Sequence, residues 1–120
     1  MNDRRLASGT TLHLVPEPSW NAHAGQTYYR PEAFPEEGFI HTTHGEELVI
    51  QIANMFYTAD PRPYLVLEVD LDAVTAETIY EDPDDRFPHV YGPLNLDAVT
   101  GVRRVIRDAN GSFVAIGDPL

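Results

Sequence analysis

The sequence predicts an α+β fold built on a mostly antiparallel sheet. Strand-like segments outnumber helical ones, and the chain ends on a hairpin signal at Asn110-Gly111. Together these argue against a doubly wound parallel sheet. The length, 120 residues, is that of a single domain spanning 1–120.

Residues 1–10 read as a loose, polar start. Thr11-Leu12-His13-Leu14-Val15 reads as a strand with Leu12 and Leu14 on one face and His13 on the other. Pro16 and Pro18 end it, and residues 19–24, with Trp20, form a short helix closed by Gly25. Residues 26–37 are mostly connection, with Tyr28 and Tyr29 as pocket walls. Residues 38–42 read as a second strand. Thr43 and Glu46 then have the spacing of a capping box, opening a helix over 44–57 with Leu48, Ile52, Met55 and Phe56 as its apolar stripe. Asp60-Pro61-Arg62-Pro63 stops it. Residues 64–70 are apolar enough for a central strand. Residues 78–80 form another, followed by an acidic loop over 81–85. Residues 89–91 are a short extended piece fenced by Pro88 and Gly92-Pro93, and 102–107 and 112–116 flank the final turn.

Composition excludes several chemistries. The chain has no cysteine, so disulfides, thiolate metal sites and cysteine nucleophiles are absent, which suits a reducing cytosol. It has no lysine, so a Schiff base and a Walker-type lysine are excluded. With 19 acidic against 8 basic residues the formal charge is −11, a field that repels duplex nucleic acid and anionic membranes. No apolar run approaches the ~20 residues of a membrane span, and the N-terminus lacks a leader-like core. The expectation is a cytoplasmic protein whose partner is a small molecule.

The residues left to carry chemistry are histidines. His13, His41 and His89 each lie in a short extended stretch, and strand alternation lets each point off the core face into a common cleft. The alternative for each is a core imidazole bonded to backbone. His41 and His89 are the candidate acid/base groups, because an imidazole titrates near working pH. In Phe87-Pro88-His89-Val90-Tyr91-Gly92-Pro93-Leu94, two prolines and a glycine fix His89 and Tyr91 on one side of the strand, a donor/acceptor pair beside an aromatic wall. A rigid turn with a packed tyrosine is the other reading. Trp20 either stacks a ligand or anchors the core. Glu81 is a candidate base or a solvated surface charge. His41-Thr42-Thr43-His44 straddles a strand end and a helix start without regular metal-ligand geometry, so no metal is expected. No phosphate loop, G-x-S-x-G elbow, H-E-x-x-H or EF-hand pattern occurs.

Taken together, the His13 strand, Trp20, Tyr28-Tyr29, Glu37-Gly38-Phe39-Ile40-His41-Thr42-Thr43, Ala53-Asn54, Phe56-Tyr57, the 65–70 strand and Phe87–Leu94 resemble the bacterial domain-of-unknown-function 952 family over residues 11–114. The resemblance departs where family members often carry Cys-Ser-Thr after the first histidine block; here Thr42-Thr43-His44 follow. It implies an ADP-ribosyltransferase-like fold, a split and bent sheet with a cleft between its halves. A strand similar to Phe39-Ile40-His41-Thr42 occurs in tRNA 2′-phosphotransferases of that superfamily. By the same resemblance NAD is the implied cofactor. His13 would contact ribose, Trp20, Tyr29, Thr42 and Tyr91 would line the ligand, and Glu81 would stand in for a late glutamate. Arg30 and Arg86 are the only counterparts offered for phosphate-gripping arginines. Three functions follow: a transferase acting on an NAD- or ADP-ribose-like ligand, a non-catalytic binder of a small nucleotide-like metabolite, and a metal-assisted hydrolase. The sequence shows no carboxylate–histidine set for the third.

Overall fold

A computed structural model describes residues 5–120 of the chain. Its strands are β1 (Arg5–Leu6), β2 (Thr10–Pro16), β3 (Tyr28–Tyr29), β4 (Ile40–His41), β5 (Tyr64–Asp70), β6 (Glu77–Tyr80), β7 (Pro88–Tyr91), β8 (Leu94–Asn95), β9 (Val99–Arg107) and β10 (Phe113–Pro119). The helices are α1 (Glu17–Asn21), α2 (Phe34–Glu37) and α3 (Glu46–Phe56). One four-stranded sheet has the order β10-β9-β5-β2, a second β1-β6-β7-β4, and β3 pairs with β8. Each pairing is antiparallel, as the α+β expectation requires.

Alternation along β5 explains its continuous apolar run. Tyr64 and Val66 face α3, where they pack with Leu12, Val49, Ala53, Val105 and Phe113. Leu65, Leu67 and Val69 face the second sheet, packing with Val15, Tyr29, Ile40, Val90 and Leu94. A strand covered on both faces must be apolar on both, and each such side chain contributes about 1.5–3 kcal/mol of burial free energy. On β2 the same alternation sends Leu12 toward α3 and His13 between the sheets, where it is 5% exposed.

The two sheets meet where β2 passes the chain just after β4, through one isolated backbone bridge among the described residues. Leu12 and Thr43 exchange backbone hydrogen bonds of 3.0 and 2.8 Å, and the strands then part. Beyond that point the His13 imidazole reaches across to the carbonyl of His41, 2.6 Å away, doing with a side chain what a ladder bond would do.

Several expectations are corrected. Residues 1–4 of the expected loose start lie outside the described residues. Arg5 and Leu6 are strand, paired with Tyr80 and Ile79, because β1 covers the edge of the second sheet. The helix α1 begins earlier than expected, with Pro18 accommodated in its first turn, where no N–H is needed. The expected strand over 38–42 shrinks to β4, since Gly38, at φ 78°, caps α2 in the left-handed region that favours glycine. The capping box does not form. Gly45 is the cap of α3, Thr43 is committed to its bridge with Leu12, and the Glu46 carboxylate pairs with Arg103 at 3.1 Å. The buried stripe of α3 is Val49 and Ala53, not the line through Leu48, Ile52, Met55 and Phe56. Ala53 lets the helix approach the sheet closely, and Asn54 locks that approach by bonding both backbone groups of Phe113 at 2.8 Å. Ile52 and Phe56 are left to face a cleft.

Candidate functional site

The cleft opens where the two sheets part and has two lobes. The smaller, about 170 Å³, lies against Tyr29, Glu32, Glu37, Phe39, Arg62 and Tyr64. The larger, about 540 Å³, lies against Thr42, Phe56, Glu81, Asp82, Phe87 and His89. His41, Thr43, Ile52 and Tyr57 border both, so His41 stands at the junction.

Strand register brings the two candidate acid/base groups together. In the β4–β7 ladder His41 lies directly opposite His89, and the rings meet edge to face with centroids 5.3 Å apart. Phe39 stacks on His89 at 4.3 Å and meets His41 edge on at 4.7 Å, fixing both rings. Each imidazole also has its own carboxylate. His41 donates from Nε2 to Glu37, 2.5 Å away, a contact set up by the tight turn at Gly38. His89 donates from Nδ1 to Glu81 Oε1 at 2.9 Å, and the Tyr91 hydroxyl donates to the same oxygen. The Tyr91 and His89 donors hold the Glu81 carboxyl below its usual range, so it is an ionised acceptor near neutral pH. A carboxylate fixes which imidazole nitrogen carries the proton, leaving Nδ1 of neutral His41 and Nε2 of neutral His89 with lone pairs.

His13 borders the smaller lobe and reaches the backbone of His41. A carbonyl only accepts, so the nitrogen facing His41 O is protonated. Nε2 is then the acceptor for the Tyr29 hydroxyl at 2.8 Å. Burial pushes the imidazole down to about 4, so it is neutral near pH 7. Burial likewise pushes the Tyr29 hydroxyl far up, keeping it a donor.

The remaining sequence candidates divide. Tyr29 and Thr42 border the cleft, though the Thr42 hydroxyl is spent on Pro88 O at 2.7 Å. Tyr91, 40% exposed, reaches the site through Glu81. Trp20 packs on the core, edge on to Tyr29 at 5.6 Å, and is not among the cleft-lining residues. Neither Arg30 nor Arg86 lines the cleft, and Arg86 pairs with Asp84. The arginine that does is Arg62, which sequence reasoning passed over as part of a helix stop. Asp60 holds it at 2.8 Å and Glu32 at 2.9 Å. Its loop is clamped by Arg107, which donates to the carbonyls of Thr58, Asp60 and Arg62. Glu37, Phe39 and Tyr57 were also missed as site residues. For Glu37 the signal was a carboxylate four residues before a strand histidine, across a glycine turn. The carboxylate–histidine pairs absent from sequence spacing are thus assembled by the fold. Among the described residues no three or more histidine or carboxylate side chains are grouped to hold a metal ion.

Fold and site define a small α+β protein with a cleft at a sheet split and a paired-histidine centre. The chain belongs to the protein-of-unknown-function family DUF952, whose sequence profile matches residues 14–102. Its fold is similar to the crystal structure of protein CC0527 from Caulobacter crescentus, at TM-score 0.74 and 23% identity over 88% of this chain and 93% of that one. The solution NMR structure of CC0527 is similar at TM-score 0.63 and 22% identity, over 85% and 89%. No curated protein matches the chain. No helix among the described residues is long and apolar enough to cross a membrane.

Proposed function

We propose that the cleft is the active site of a small group-transfer enzyme, of ADP-ribosyl or phosphoryl type, with His41 and His89 as its proton-transfer groups. One observation carries this reading: the β4–β7 register sets two imidazoles side by side, each held through one nitrogen by its own carboxylate. A ring held in that way is oriented, and its other nitrogen can take or give a proton. Glu37 and Glu81 are positioning residues here, and so is His13, which grips the backbone of His41. The transferred group and the choice of NAD or an ADP-ribose-like ligand rest on the family resemblance and the ADP-ribosyltransferase-like fold that it implies. The net charge of −11 supports a small ligand over duplex nucleic acid or a membrane, and the lack of cysteine supports a cytoplasmic setting.

A second reading, a non-catalytic binder of a small nucleotide-like metabolite, is favoured by Arg62. It is the only arginine bordering the cleft among the described residues, and two carboxylates already engage it. A transferred phosphoryl group or a departing pyrophosphate would find no free guanidinium beside it. Calorimetric titration with NAD, ADP-ribose, AMP and adenosine, followed by chromatography of the mixtures, separates the two. The transferase reading expects one of them to bind and be converted, with His41→Gln and His89→Gln each lowering turnover by about 10²-fold or more while affinity changes less than tenfold. Binding without conversion would leave the second reading, and no binding at all would contradict both.

A further inference from the structure

Resting on the reading of the cleft as a ligand site, we infer that its larger lobe takes a positively charged group carried on an apolar body: a protonated amine or a quaternary ammonium joined to a ring or short hydrocarbon. The lobe's hydrocarbon comes first. Ile52, Phe56 and Phe87 border it, and Phe56 stays 65% exposed although the opposite face of α3 is packed on the sheet. Tyr57, just past the end of α3, also borders the lobe and is 36% exposed, so the lip carries a second aromatic ring. Exposed apolar surface at the mouth of a cavity is relieved by an apolar ligand.

Charge then selects among apolar ligands. The two charged residues bordering the lobe are Glu81 and Asp82, and no arginine borders it among the described residues. Tyr91 and His89 hold Glu81 ionised. Burial works against ionisation of Asp82, but the N–H groups of Arg86 and Phe87 outweigh it, at 2.9 and 3.1 Å. The nearby arginines are each paired, Arg5 with Asp85 and Arg86 with Asp84; Arg5 still lends Asp82 some counter-charge, and Arg86 lies over the Phe87 ring at 5.8 Å. An anion entering the lobe meets like charge. A cation meets two carboxylates and aromatic side chains, Phe56 and Tyr57 among them, and both kinds of interaction strengthen as water leaves. The volume, about 540 Å³, is of the size that small organic ligands fill and far exceeds what a bare metal ion needs.

Benzylamine, benzyl alcohol and benzoate test this directly, because they share one ring and differ in charge at neutral pH. Each is titrated into the full chain at low ionic strength, with NMR signals of Phe56, Phe87 and His89 reporting the lobe. Benzylamine should bind at least about tenfold more tightly than benzyl alcohol, and benzoate more weakly than either. Glu81→Gln should remove most of the amine's advantage and leave the alcohol unchanged. Phe56→Ala, at an exposed helix position, should weaken the amine and the alcohol alike. Equal affinities for the three, a lead for benzoate, no binding of the amine, or an amine effect confined to other surface carboxylates would each overturn the inference. A chain that binds a nucleotide or nucleoside but not benzylamine would keep the reading of the cleft as a ligand site and lose this one.

Discussion

Acid should destabilise this protein through one imidazole before its carboxylates begin to protonate. His13 is buried and neutral, and burial lowers it from 6.5 to about 4. A group lowered on folding binds its proton more readily in the unfolded chain. Its contribution is therefore fully present above pH 6.5 and is lost as pH falls from 6.5 toward 4. At 1.36 kcal/mol per unit, the full difference is about 3 kcal/mol, most of which is lost by pH 4.5. Carboxylates with lowered values, such as Glu81 and Asp82, lose their contributions only below the ordinary carboxylate range, so the two windows separate. Urea unfolding at half-unit steps from pH 7.5 to 4.5 gives the slope for the parent chain and for His13→Gln, which carries no titratable group there. His44, also lowered mainly by burial, titrates in both proteins and cancels in the difference. The parent should lose about 2–3 kcal/mol more than the variant across that range. Should His13→Gln fold poorly, the NMR titration of His13 in the parent reads the same quantity. Parallel slopes, or a His13 midpoint at or above 6.5, would refute the reasoning.

Other substitutions probe the supports of the site. Tyr29→Phe leaves His13 Nε2 buried without its donor and should cost about 1–3 kcal/mol. In a thermal melt of a 120-residue chain that is a fall of about 4 °C per kcal/mol. Tyr91→Phe, at a partly exposed position, should change stability by less than about 1 kcal/mol, and the Glu81 carboxyl should titrate higher once its hydroxyl donor is gone. Carbon-detected NMR of the glutamates reads that shift. Asn54→Ala should cost about 1–3 kcal/mol in urea, because it strands both backbone groups of Phe113.

The strands were legible where local signals and tertiary demand agree. Residues 64–70 read as central because a strand sandwiched between two layers must be apolar throughout, and the Asn110-Gly111 turn announced the β9–β10 hairpin. Short elements were not legible. β1, β3, β8 and α2 are two to four residues long and exist because a neighbour pairs with or caps them. The face of α3 was misread because the cleft needs apolar residues of its own: Ile52 and Phe56 have helical spacing yet border a cavity, while the small Ala53 marks the packed side. At the site, the sequence pointed to His41, His89, Tyr91 and Glu81, all in or beside strands. It did not show that His41 and His89 stand opposite one another, since register between segments 48 residues apart is set by the whole sheet. His13 lay on the predicted face and borders the smaller lobe, but it is buried there with both ring nitrogens spent on His41 O and the Tyr29 hydroxyl.

The most direct test of the paired-histidine cleft follows the ring protons of the five histidines while adenosine, AMP, ADP-ribose and NAD are titrated in turn. Assignments come from single His→Gln variants. The expected result is that at least one compound shifts His41 and His89 together, saturably and with a single dissociation constant, while His23, which borders neither lobe, shifts less. Saturable shifts confined to His23 or His44, or no shift at His41 and His89 with any of the four, would contradict it.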